Sequence, residues 1–360
     1  MGKKNATLES LEMNLSSLRG LKVLVTGHTG FKGSWLSLML SQLDVELHGI
    51  ALEPQAESMF NICQISDLYE TSSILDIRSE IFLTEKINSV NPDFIFHLAA
   101  QPIVSLSYKN SLETFSTNVM GTVNLLEAVR TNPKEIKGLV VVTSDKCYEN
   151  NEENVKFVEG NPLGGDDPYS ASKACAELVS ASYYKSFFTE IGIGLATARA
   201  GNVIGGGDFS VDRLVPDIYY AYKKSETLNV RNSKSIRPWQ HVIDPVYGYL
   251  VLANKLIQNT ESYSGSWNFS PNNNEIFSVK HIIDKFAKHL PIKVNEVPLQ
   301  FKESKHLMLD STKAKTNLKW NSILDIDSTV RYTADWYLSY LQNKVDMREF
   351  SISQLSELKF

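Results

Sequence analysis

The chain has 360 residues, 36 of them basic and 41 acidic, for a formal net charge of -5, a balance that argues against nucleic acid as the main partner. With 42% hydrophobic and 21% charged residues it has the make-up of an ordinary folded protein rather than a disordered or fibrous one. Cys63, Cys147 and Cys175 lack metal-ligand spacing and suit a reducing compartment, no apolar run reaches membrane-spanning length, and a cytoplasmic protein of two lobes with a small-molecule partner is expected.

Residues 1–20 form a polar, weakly amphipathic leader with no apolar signal core and no assigned role. From Leu21, "LKVLVTGHTGFKGSWLSLMLSQL" passes from apolar strand through a glycine-punctuated turn to a helix, and "VELHGIAL" follows as a second strand. "LDIRS" reads as the end of a third strand, "SEIFLTEKINSV" as a helix, "PDFIFHLAAQ" as a fourth strand and "TFSTNVMGTVNLLEAVRTN" as a long helix. "KGLVVVTSD" is a fifth strand. Pro168 opens the next helix, and "GIGLATARAGNVIG" is a sixth strand running into a glycine-rich loop. This alternation predicts an α/β fold, with a doubly wound, Rossmann-like parallel sheet over residues 21–207 and ligands at the carboxyl ends of its strands. Residues 208–345 break into shorter pieces and read as a smaller C-terminal substrate-binding lobe, with a segment near 238–256 returning to the main sheet and 346–360 as a tail.

Gly27, Gly30 and Gly33 stand at the first strand-to-helix junction. Glycines there let backbone approach a pyrophosphate, and the helix start offers free N–H groups; the alternative is a tight turn that binds nothing. The spacing, G-x-x-G-x-x-G, departs from the usual dinucleotide fingerprint, but the turn follows the first strand of a long alternation, which favours binding. Glu53 is placed for a ribose contact, whereas Lys32 offers a cation to a 2′-phosphate; NAD is expected rather than NADP.

Tyr169 and Lys173 in "YSASK" lie four apart, on one helix face, where an ammonium lowers a phenol's pKa towards that of a working base. The alternative is a solvated helix face. Ser144 precedes them at the end of the fifth strand, followed by the charges Asp145 and Lys146, which are costly at the mouth of an apolar strand unless used. They read either as an acid/base couple or as an ion pair capping the strand.

"VLVTGHTGFKG", "HLAAQ" and "YSASK" together resemble the extended short-chain dehydrogenase/reductase family that acts on nucleotide sugars. "GHTGFKGSWL", "TSDKCYEN", "ARAGNVIGGGD", "DRLVPD" and "IRPWQHV" resemble within it the 4,6-dehydratases of CDP-linked glucose, over nearly the whole chain from Leu21. The resemblance implies a tightly held, catalytic NAD and conversion of CDP-glucose to CDP-4-keto-6-deoxyglucose. Tyr169, Ser144 and Lys173 would oxidise C4, while Lys146 as base and Asp145 as acid, or the two exchanged, would remove water across C5 and C6. Related dehydratases usually carry a carboxylate at the position of Lys146. The resemblance also implies cofactor contacts from Gly27, Thr29, Gly30, Phe31, Lys32 and Gly33, from Asp76 and Ile77 at the adenine, and from Leu98, Ala99, Ala100, Thr117, Tyr169 and Lys173. Substrate contacts would come from Gln101, Asn202, Arg213, Arg231, Arg237 and Lys305, with guanidinium forks suited to pyrophosphate oxygens. The helices containing "TFSTNVMGTVNLLEAV" and "YSASKACAELVSASYYKSF" pair into a dimer in that family, so a homodimer is expected. Another nucleotide-sugar dehydratase (for GDP- or dTDP-sugars), a nucleotide-sugar epimerase and a non-catalytic NAD-binding module are the competing readings.

Overall fold

The computed structural model describes residues 11, 14–133, 135–151, 155–271, 277–298, 306–358 and 360. Its central sheet has seven strands: β1 Lys22–Thr26, β2 Glu46–Ala51, β3 Thr71–Ile74, β4 Phe94–His97, β5 Gly138–Val142, β6 Gly194–Ala200 and β7 Gly265–Phe269. All pair in parallel, in the order β7, β6, β5, β4, β1, β2, β3. The winding reverses between β1 and β4, which leaves a crevice at their carboxyl ends.

The helices that matter for the site are α1 Phe31–Leu40, α2 Glu80–Val90, α3 Gly121–Thr131, α4 Pro168–Tyr183, α5 Leu214–Lys224, α6 Ile243–Gln258 and α7 Ile326–Gln342. Both faces of the sheet are covered, as an apolar strand such as "GLVVV" requires. Along β5, Val140 and Val142 enter the core shared with Trp35 and Leu36 of α1 and Leu250 of α6. Leu139 and Val141 enter the opposite core with Leu83 and Ile87 of α2 and Leu125 of α3. The start of α4 is held by Asp167, whose carboxylate accepts from the Ser170 N–H at 3.0 Å, with Pro168 in the first turn; such a cap contributes about 1 kcal/mol.

Two segments differ from their sequence reading. The third strand is "TSSI", ending just before "LDIRS"; at the sheet edge its side chains alternate between partly buried and exposed, so no apolar signal marks it. The stretch "GSWNF", read among the pieces of the smaller lobe, is β7 and pairs with β6, while residues 243–258 pack on β5 and β6 as a helix. In the leader, to which the sequence assigned no role, Leu11, Leu15 and Leu18 are buried, and the Ser17 N–H donates to Asn254 Oδ1 of α6 at 2.9 Å. Beyond β6, α5 packs beside a parallel pair of short strands, Thr227–Val230 and Lys293–Glu296. Among the described residues no helix is long and apolar enough to cross a membrane.

Candidate active site

A cavity of about 650 Å³ opens at the crevice and runs from the glycine turn to α5 and its neighbouring strand. Gly27, Thr29, Gly30, Phe31, Lys32, Gly33, Asp76, Ile77, Leu98, Ala99, Ala100 and Thr117 all line it. So do Ser144, Asp145, Lys146, Tyr169, Lys173, Asn202, Arg213, Arg231 and Arg237. Gln101 is absent from the lining, and Lys305 lies outside the described residues.

The turn is built around close backbone approach. Gly27 has φ +76, and a Cβ there would sit 2.6 Å from the Ala99 N; one on Gly33 would sit 2.2 Å from the Gly27 oxygen. At Gly30, just ahead of the first turn of α1, a Cβ would meet the Gly27 oxygen at 3.3 Å, again a tight contact. Free N–H groups at a helix start, facing a cradle without side chains, fit the pyrophosphate of a dinucleotide. The facing strand end is pinned by buried His97, bonded to Thr26 Oγ1 at 2.7 Å and Thr122 Oγ1 at 3.2 Å. Burial, and then the Lys173 charge, hold its imidazole neutral, down to about 3.

At the far end of the turn, Asp76 is held by Arg78, which donates Nε at 2.8 Å and its backbone N–H at 2.9 Å to the carboxylate and keeps it ionised below its ordinary range. Ile77 is buried against Gly121, where a Cβ would come within 2.5 Å of Ile77 Cδ1. Glu53 also lines the cavity, two residues beyond β2.

At the other end, β5 delivers Ser144 and Asp145 to the cavity floor. Ser144 Oγ donates to Asp145 Oδ1 at 3.0 Å and accepts from the Lys146 N–H at 3.2 Å, closing a short 3₁₀ turn over Asp145–Cys147. Asp145 Oδ2 is buried with no partner among the described residues, and burial raises its carboxyl pKa above the ordinary range, against the pull of Lys146. Burial pushes the Tyr169 phenol up to about 12, opposed by a hydrogen bond with Ser144. One turn on, Lys173 Nζ donates to the Val142 carbonyl at 3.2 Å; burial lowers its ammonium to about 8, and Glu177 pulls it back up.

Lys32, which lines the cavity, reaches Tyr249 Oη with Nζ at 3.4 Å; burial lowers its ammonium to about 7, Arg213 and Lys173 add to that, and Asp145 pulls it back up. Gln101 departs from its sequence reading: Nε2 donates to Thr114 Oγ1 at 2.9 Å and to the Ile103 carbonyl at 3.1 Å, and Oε1 accepts from the Ile103 N–H at 2.6 Å. Those internal bonds occupy three of its four positions and leave little for a substrate. Arg213 pairs with Asp208 at 3.0 Å, Arg231 with Asp212 at 3.4 Å, and Arg237 is buried with Nη1 on the Ile236 carbonyl at 2.9 Å.

Sequence reasoning passed over two supporting groups. Asn118 lies in a π-helical turn, Ser116–Met120, an irregularity frequent at functional sites. Its Nδ2 donates to Ser172 Oγ at 2.8 Å and to the Gln101 carbonyl at 3.1 Å, fixing α4 against the end of β4. Glu177, four residues after Lys173 on the same face of α4, accepts from Thr143 Oγ1, from Thr197 Oγ1 at 2.7 Å and from Arg199 Nη2 at 2.7 Å. The repeat of Tyr169, Lys173 and Glu177 at every fourth residue was the available signal.

A doubly wound sheet with serine, tyrosine and lysine at its carboxyl edge beside a glycine cradle defines a short-chain dehydrogenase/reductase fold of the extended kind. The family model described as GDP-mannose 4,6 dehydratase matches residues 24–333, and the chain belongs to that family. It is 43% identical over 352 residues to the CDP-glucose 4,6-dehydratase of Salmonella typhimurium, a match covering 94% of this chain and 96% of the relative. A probable dTDP-glucose 4,6-dehydratase of Sinorhizobium fredii is 24% identical over 88% of this chain and 93% of its own. In fold it is similar to the UDP-glucuronic acid 4-epimerase of Bacillus cereus, solved with UDP-glucuronic acid and NAD. The TM-score is 0.77 at 21% identity, over 89% of this chain and 99% of that one.

Proposed function

We propose that the protein is a CDP-glucose 4,6-dehydratase, forming CDP-4-keto-6-deoxyglucose from CDP-glucose. The observation that carries the reading is one cavity in which Ser144, Asp145, Lys146, Tyr169 and Lys173 meet the glycine cradle, in a chain that matches a CDP-glucose 4,6-dehydratase almost end to end.

NAD, which the glycine cradle would hold, would supply the acceptor for a C4 hydride and the donor for its return to C6, so the reaction would have no net redox change. Tyr169 Oη takes the C4 hydroxyl proton, with Ser144 hydrogen-bonding the same oxygen; that bond and then the Arg213 charge favour the phenolate against burial, and Lys173 adds a cation one turn on along the same helix face. The resulting ketone acidifies the C5 hydrogen. Lys146, acting as the neutral amine, takes that proton, and Asp145 gives one to the departing C6 hydroxyl. Asp145 is fitted to be the acid because its buried, unpartnered Oδ2 and raised pKa favour the protonated carboxyl. An epimerase needs no such couple.

The cofactor is a tightly retained NAD rather than NADP, a preference supported by Glu53, which lines the cavity just beyond β2 and whose carboxylate would repel a 2′-phosphate. Arg213, Arg231 and Arg237 are the cations for the substrate diphosphate, and Asn202 borders the same space. A homodimer is the proposed assembly: Leu112, Met120, Leu178 and Phe187 on the helices around α3 and α4 are exposed apolar side chains that a second copy would cover. The reducing cytoplasm suits its three free cysteines. Incubation with CDP-glucose and substoichiometric NAD should give a product lighter by one water. An unchanged mass, or NADH formed in step with product, rejects the reading.

A further inference from the structure

The cavity has a direction. Tyr169 and Ser144 mark where the hexose carbon reacts, and Arg213, the residue just before α5, lies close enough to Tyr169 for each charge to influence the other. Asp217 stands four residues further along the same helix face, about 6 Å away at 1.5 Å per residue. A nucleotide sugar laid along this face puts its hexose at Tyr169, its diphosphate at Arg213 and its nucleoside at Asp217. Both Arg213 and Asp217 line the cavity.

Among the described residues the Asp217 carboxylate makes no hydrogen bond and no ion pair, although it is partly buried. Burial pushes its pKa up to about 6, with Arg231 pulling it down and Asp212 pushing it up. An acceptor partly shielded from water and given no donor is a cost that a ligand's donor would remove. Leu214, Pro216, Leu228 and Val230 line the same cavity and offer apolar surface on which a flat ring can lie.

We infer that Asp217 reads the nucleobase, its carboxylate accepting a hydrogen bond from the 4-amino group of cytosine. Cytosine presents N–H donors on that edge, whereas uracil and thymine present a carbonyl oxygen, which a carboxylate repels. The inference rests on the CDP-glucose reading above and assigns the residue that makes the distinction between bases.

The test compares kcat/KM for CDP-glucose and UDP-glucose, and the dissociation constants of CDP and UDP without sugar, for the full chain and for Asp217→Asn and Asp217→Leu. The parent should favour the cytosine nucleotide in both measurements. Asp217→Asn, whose amide can donate to a carbonyl, should lower the CDP to UDP ratio at least tenfold and gain UDP-glucose activity. Asp217→Leu should lose CDP affinity without that gain. A parent that prefers CDP and variants that keep its ratio overturn the assignment of Asp217 alone. A parent that binds CDP no better than UDP overturns the substrate reading and the inference together.

Discussion

Ser144 Oγ donates to one oxygen of Asp145 at 3.0 Å and leaves the other oxygen, Oδ2, buried without a partner. A carboxyl in that state gains by keeping its proton until a leaving hydroxyl accepts it. Asp145→Asn should therefore slow formation of the 6-deoxy product by about 10²–10⁴-fold, the usual contribution of general acid catalysis. Exchange of the C5 hydrogen with solvent should persist. Loss of both in parallel would reassign Asp145 to the earlier steps.

Lys146 gives the complementary outcome. Lys146→Met should abolish C5 exchange and product, yet leave Tyr169, Ser144 and Lys173 able to oxidise C4, seen as NADH absorbance that rises and stalls. Near-parent turnover or exchange would leave the lysine as a charge partner of Asp145 and direct the search for the base to Lys32, which burial lowers to about 7.

The strands with buried faces were legible because β-branched runs such as β5 and the start of β1 are apolar on both sides of a parallel sheet. β3 was misplaced by a few residues because an edge strand need not be apolar, and β7 was missed because "GSWNF" is short and lies among the pieces read as the smaller lobe. At the site, the glycine turn and the tyrosine and lysine pair were legible because spacing alone sets which groups share a turn or a helix face. The contact of Lys32 with Tyr249, the internal bonding of Gln101 and the clasp of Arg78 on Asp76 depend on rotamers and neighbours that no spacing encodes.

Three buried histidines set a pH dependence of stability. Burial holds His28, His97 and His241 down to about 4, 3 and 3, below the ordinary value near 6.5. As pH falls through about 6.5 the unfolded chain takes up protons that the folded one refuses, so stability is full above that pH and declines below it towards the folded values. Urea midpoints should fall between about pH 7 and pH 5, and His97→Gln should make the decline shallower. A flat profile over that range would contradict the neutral assignment.

The Arg199 and Glu177 pair beneath α4 is buried on both sides, with Arg199 also donating to Tyr148 Oη at 2.7 Å. Arg199→Met strands the carboxylate and should cost about 3–5 kcal/mol, read as a lowered urea midpoint at unchanged slope. Adding Glu177→Leu should recover much of it. A single variant as stable as the parent would show that the pair carries no net load.

The central claim, that one hydride leaves C4 and returns to C6 of the same sugar, is tested most directly with CDP-glucose deuterated at C4 and catalytic NAD. The account predicts deuterium at C6 of the 4-keto-6-deoxy product, with NAD unconsumed and no label transfer in Tyr169→Phe. Deuterium retained at C4, or a product of unchanged mass epimeric at C4, would contradict it.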